Sequence, residues 1–125
     1  MKEFVTLENS QSVLPFALGT KHNGVVYLSG MVSKNMLTDE PIPGSIEEET
    51  RQTLENIKLL LERAGSSFDK ILKATVFLVD MNDFAAMNKV YKEFFDSPEK
   101  LASRSTVGTP LVGAFKVEIE VIAAL

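Results

Sequence analysis

The chain contains no cysteine, so disulfides, thiolate nucleophiles and cysteine-ligated zinc are all excluded. It has one histidine, His22. That rules out a metal site built on paired histidines and a serine–histidine triad with a well-placed imidazole. Lys and Arg total 13 against 17 Asp and Glu, for a net charge of -4, and no basic run occurs. A nucleic-acid partner is disfavoured, because phosphate binding relies on clustered cations. No apolar run approaches the ~20 residues that a membrane span needs. Met1 to Thr6 lacks the apolar core of a signal peptide, so a cytoplasmic protein without a membrane partner is expected. At 125 residues the chain reads as one domain, 1–125.

What is present is patterned. Phe16–Thr20 and Val25–Ser29 flank Asn23-Gly24, a turn pair that tolerates positive φ and predicts a β-hairpin with His22 solvated near its tip. Asp39-Glu40-Pro41-Ile42-Pro43-Gly44 breaks regular structure. Ser45-Ile46-Glu47-Glu48 is a capping box, with acidic residues suited to the positive end of a helix. Ile46, Thr50, Leu54, Ile57, Leu61 and Ala64 then recur every three or four residues, which predicts a helix ending at Gly65.

Ile71–Val79 reads as a strand covered on both faces. After Asp80-Met81-Asn82-Asp83, a second helix buries Phe84, Met87, Tyr91 and Phe94, with Asn88 beside that stripe. Ser97-Pro98 ends it. Strands follow over Ser103–Gly108 and Lys116–Ala124. Right-handed crossovers put both helices on one face of the sheet. The strands are apolar on both faces, so a second subunit is expected over the other face.

Arg104 lies between two hydroxyl residues in Ser103-Arg104-Ser105. Its planar fork suits a carboxylate of a small acid. The competing reading is an edge-strand arginine paired on the surface with Glu118 or Glu120.

Taken together, the segments resemble the Rid (reactive intermediate deaminase, YjgF-like) proteins. The resemblance rests on Thr53-Leu54-Glu55-Asn56-Ile57, Ala64-Gly65-Ser66-Ser67, Lys73–Leu78, Asp80–Ala85, Arg104-Ser105 and Val117–Ala123. It implies an α+β, chorismate-mutase-like subunit, and a homotrimer with a central β-barrel and sites in the clefts between subunits. It also implies hydrolysis of reactive enamines and imines such as 2-aminoacrylate to 2-keto acids and ammonia. By position, Arg104 would hold the substrate carboxylate and Glu118 would help place the attacking water. Phe16, Ser29, Asn88 and Thr106 would line the cleft. Phe16 and Thr106 stand where many members have tyrosine and cysteine. No metal or organic cofactor is expected. A non-catalytic binding or regulatory protein for keto or amino acids, and an endoribonuclease or translation inhibitor, are the alternatives.

Overall fold

A computed structural model describes residues 1–125. Its strands are β1 (Glu3–Val5), β2 (Gly19–His22), β3 (Val25–Leu28), β4 (Ile71–Leu78), β5 (Ser103–Gly108) and β6 (Val117–Ala124), and its α-helices are α1 (Ile46–Arg63) and α2 (Phe84–Phe94). They form a single α+β domain with one mixed sheet in the order β1-β2-β3-β6-β4-β5. Only the β4–β5 pair is parallel; β6 runs antiparallel to both β3 and β4.

Local chemistry accounts for the element ends. Asn23 (φ 50°) and Gly24 (φ 77°) both adopt the left-handed region, as the tight β2–β3 hairpin requires. Ser45 accepts from the Glu48 amide at 3.1 Å, and the Glu48 carboxylate accepts from the Ser45 amide at 2.9 Å, which completes the capping box. At the other end of α1, Gly65 has φ 86°, and the Gly65 and Ser66 amides donate to Glu62 and Leu61. This is a Schellman ending, which only a residue without Cβ adopts at no cost.

The helices pack together on one face of the sheet. Leu54, Ile57, Leu60 and Leu61 of α1 are fully buried there against Val76, Leu78, Val117 and Ile119. Burial of each such side chain contributes about 1.5–3 kcal/mol. The opposite face is uncovered. It carries Tyr27, Phe77, Val107 and Ile122 beside Lys73, Thr75, Glu118 and Glu120, and Tyr27 is 46% exposed.

Several sequence expectations change. The first hairpin strand begins at Gly19, so Phe16 lies in the preceding loop, and β1 adds a strand that no sequence pattern marks. Phe84 is not core: it is 38% exposed at the start of α2. The largest change concerns strand neighbours. The strand carrying Glu118 does not lie beside the strand carrying Arg104, because β4 sits between them. Strands consecutive in sequence commonly pair, but β5 and β6 do not. Instead the parallel crossover through α2 places β5 on the outer side of β4 and leaves β6 to pair on the inner side.

Candidate functional site

Arg104 aligns with Ala74 of β4, and Ala74 is fully buried beneath the helices. Strand residues in register share a face, so Arg104 projects to the helix side of an edge strand. There its Nη1 donates to Asn88 Oδ1 at 2.7 Å. Its guanidinium carbon lies 4.6 Å from the Tyr91 ring centroid and 5.7 Å from that of Phe84. The ion pairs of the chain join Lys34 to Asp39, Arg51 to Glu93, Lys100 to Asp96 and Lys116 to Glu49. Arg104 belongs to none of them, so the surface pair with Glu118 or Glu120 does not form. A half-buried arginine with one neutral partner keeps most of its donors for an incoming acid. Thr106 aligns with buried Val76 and therefore shares the Arg104 face.

Glu118 aligns with Phe77 and belongs to the opposite, uncovered face. Its carboxylate lies against Gly30: a Cβ added there would fall 2.2 Å from Glu118 Oε2. Partial burial, and secondarily the charge of Glu120, hold its carboxyl above the usual glutamate range. Ser29 precedes Gly30, and its hydroxyl donates to the Ala17 carbonyl at 2.6 Å while its amide donates to Leu18 at 2.9 Å. Ser29 thus ties the loop that carries exposed Phe16 to the end of β3.

The expected residues therefore fall into two groups. Arg104, Asn88 and Thr106 gather at the β5 edge on the helix face. Phe16, Ser29 and Glu118 gather about the end of β3 and the start of β6. An intervening strand separates Arg104 from Glu118 by roughly 10 Å, at ~4.8 Å per strand, and these two residues occupy opposite faces of the sheet. A single subunit does not bring them together.

Three supporting residues were not singled out as site components in the sequence. Asn56 of α1 donates through Nδ2 to the carbonyls of Val32 and Lys34 at 3.1 and 3.0 Å, which pins the segment after Gly30. Glu49, 1% exposed, accepts from the Lys116 amide at 3.0 Å and from Lys116 Nζ at 3.3 Å. It moors the segment leading into β6, two residues before Glu118. In the sequence Glu49 reads as one of three acids at a helix start, and nothing local distinguishes the buried one. In the sequence Tyr91 belongs to the apolar stripe of α2. Its hydroxyl is buried without a partner, and burial, partly offset by Arg104, pushes its pKa up to about 12. No group of three or more His, Asp or Glu side chains converges on a common point. A groove of about 520 Å³ between Arg51, Glu55, Lys58 and Glu93 contains none of the expected site residues.

The family profile described as Endoribonuclease L-PSP matches residues 7–125. This chain belongs to that family, the YjgF/Rid group. The Rid chain is 40% identical to a RutC family protein of Pyrococcus horikoshii over 124 residues, covering 98% of each. It is 37% identical to a 2-iminobutanoate/2-iminopropanoate deaminase of Dermatophagoides farinae, covering 92% of this chain and 89% of the relative. A crystal structure of a Rid family protein from Yersinia pestis superposes with a TM-score of 0.91 at 35% identity, over the whole of both chains. The fold is that of the family. The names within it differ, and deaminase and endoribonuclease both occur. No helix of the chain is long and apolar enough to cross a membrane.

Proposed function

We propose that this Rid chain hydrolyses small carboxylate-bearing imines, of the 2-iminobutanoate and 2-iminopropanoate type, to 2-keto acids and ammonia. Enamines such as 2-aminoacrylate enter as their imine tautomers. The observation that carries the reading is Arg104: its fork is oriented, and no acid of its own chain fills it. The similarity to a named deaminase supports the same reading.

The chemistry asks little of the protein. Arg104 holds the carboxylate by two charge-assisted hydrogen bonds. Water adds to the C=N carbon, a proton passes to nitrogen, and the carbinolamine expels ammonia as the carbonyl forms. Glu118 holds the water, takes its proton and returns it to the leaving nitrogen. A carboxyl held above its usual range suits that exchange better than an ordinary surface glutamate. Phe16, Ser29, Asn88 and Thr106 complete the cleft.

Because Arg104 and Glu118 occupy opposite faces of one sheet, the site in this reading needs two copies. One subunit supplies Arg104 at its open β5 edge, and its neighbour supplies Glu118. The uncovered sheet faces meet in a homotrimer. Light scattering coupled to size exclusion should give three times the 13.8 kDa subunit mass, and a monomer at micromolar concentration removes the proposed site. Imine generated by a dehydratase should disappear faster with the protein than without it. Unchanged imine loss with saturable keto-acid binding would make the protein a binder. RNA cleavage that requires Arg104 would favour the endoribonuclease reading.

A further inference from the structure

Phe84, Asn88 and Tyr91 stand at i, i+4 and i+7 of α2, so they form one line along a single helix face. All three contact the Arg104 guanidinium: two by ring faces, and one by a 2.7 Å hydrogen bond to Nη1. Residues seven apart are about 10.5 Å apart along a helix axis. The guanidinium reaches both rings, within 6 Å of each centroid, and bonds to the amide that stands between them on the helix. Nη1 is engaged by Asn88, while Nε and Nη2 have no partner within the chain.

We infer that the Phe84–Asn88–Tyr91 line is a positioning device that presents the Nε–Nη2 edge of Arg104 to a planar carboxylate. The inference rests on reading Arg104 as the carboxylate grip, and it assigns Asn88 to Arg104 rather than to substrate. An arginine on an edge strand would otherwise sample many rotamers, and that freedom would be lost on each binding event. Here the ordering is built in before the ligand arrives. A line of one hydrogen bond and two rings also explains why Phe84, an aromatic residue, stays 38% exposed on α2: its face is used by the cation rather than by the core. Tyr91 serves through its ring, since its hydroxyl has no partner.

The test uses the full chain in its native assembly, labelled with ¹⁵N and observed at the arginine side chains. The Arg104 signals are identified by their loss in Arg104→Lys. In the parent without ligand, the Nη signals of Arg104 should be distinct, because rotation about its Cζ–Nη bonds is slowed, and its Nε–H should be shifted by the rings. Phe84→Leu should remove part of the ring shift, and Asn88→Leu should merge the Nη signals. Tyr91→Phe should keep the parent signature, because the ring remains. Titration with 2-oxobutyrate should move Nε–H in the parent. Affinity should fall about two- to fivefold in Phe84→Leu and about tenfold or more in Asn88→Leu. In turnover, KM should rise more than kcat falls. Arg104 signals that ignore both substitutions, or equal keto-acid affinity in both variants and parent, would overturn the inference. So would a parent whose Nε–H does not respond to 2-oxobutyrate. Binding at Arg104 without any imine turnover would remove the deaminase reading and leave this one standing.

Discussion

Gly30→Ala separates the placement of Glu118 from its chemistry. The new Cβ would stand 2.2 Å from Oε2 and 2.9 Å from Cδ of Glu118. Ordinary carbon–oxygen contact begins near 3.4 Å, so the carboxylate must retreat by about 1.2 Å or more. Gly30 does not adopt a left-handed conformation, so the backbone accepts alanine without strain. The obstacle is the end of a flexible side chain rather than backbone, and Glu118 is only half-buried. The side chain should therefore swing aside at a cost below the ~1–3 kcal/mol typical of overpacking a closed core. Function should respond far more strongly. A misplacement of about 1 Å at a reacting group costs on the order of a hundredfold in rate. The expected result is a melting temperature within a few degrees of the parent, an intact oligomer, keto-acid affinity largely retained, and imine hydrolysis reduced to about the level of Glu118→Gln. Thermal unfolding, light scattering, calorimetry with 2-oxobutyrate and an imine-loss assay read these out. Parental turnover in Gly30→Ala would mean that the position of the Glu118 carboxylate against Gly30 is irrelevant to the reaction, and the role given to Glu118 would fall with it.

Arg104→Lys should lose about ten- to a hundredfold in kcat/KM, since a point charge does not reproduce two parallel hydrogen bonds, and Arg104→Ala should be worse while circular dichroism stays unchanged. The Glu118 carboxyl is held above its ordinary value near 4.5, so the folded state binds that proton more tightly than the unfolded state does. Its contribution to stability is full below pH 4.5 and is lost as pH rises through the higher folded value. Glu118→Gln should thus be at least as stable as the parent at pH 7 and show a flatter melting-temperature profile above pH 4.5, although less active; Glu120→Gln, which has no assigned catalytic role, should keep its turnover. Ser45→Ala should destabilise by about 1 kcal/mol through loss of the capping box, visible in urea unfolding, without altering kcat, because the Ser45 hydroxyl bonds only to Glu48 and the Glu49–Lys116 contact that leads to Glu118 stays in place.

Much of the secondary structure was legible because its causes act over a few residues. Asn23-Gly24, Ser45 with Glu48, and Gly65 each impose a backbone conformation through local sterics or hydrogen bonds, and all three turn where expected. The α1 stripe from Ile46 to Ala64 is buried at every position named from its period. The exposed hairpin tip at His22 follows from the same turn. The α2 stripe is less fully determined by its period. Periodicity put Phe84 in line with Met87 and Tyr91, but a period gives only the angle around a helix, not how far the sheet extends beneath it. At that end α2 overhangs edge strand β5, where Arg104 rather than an apolar side chain meets the ring.

Arg104 stood out in the sequence because few residue types grip a carboxylate with a planar fork, and the chain has no cysteine and only one histidine to compete for attention. The alternation in Val117–Ala124 likewise set Glu118 and Glu120 on one face of their own strand, as β6 confirms. What only the tertiary structure decided is how these strands relate. Period two assigns sides within a strand and is silent about its neighbours. Insertion of β6 between β3 and β4 is made by pairing residues some 40 to 100 positions apart, and it depends on crossover handedness and on helix packing rather than on local propensity. That one choice moved Glu118 away from Arg104 and onto the other face. It also moored β6 to buried Glu49 and left β5 at the edge, where Asn88 of α2 bonds the Arg104 guanidinium.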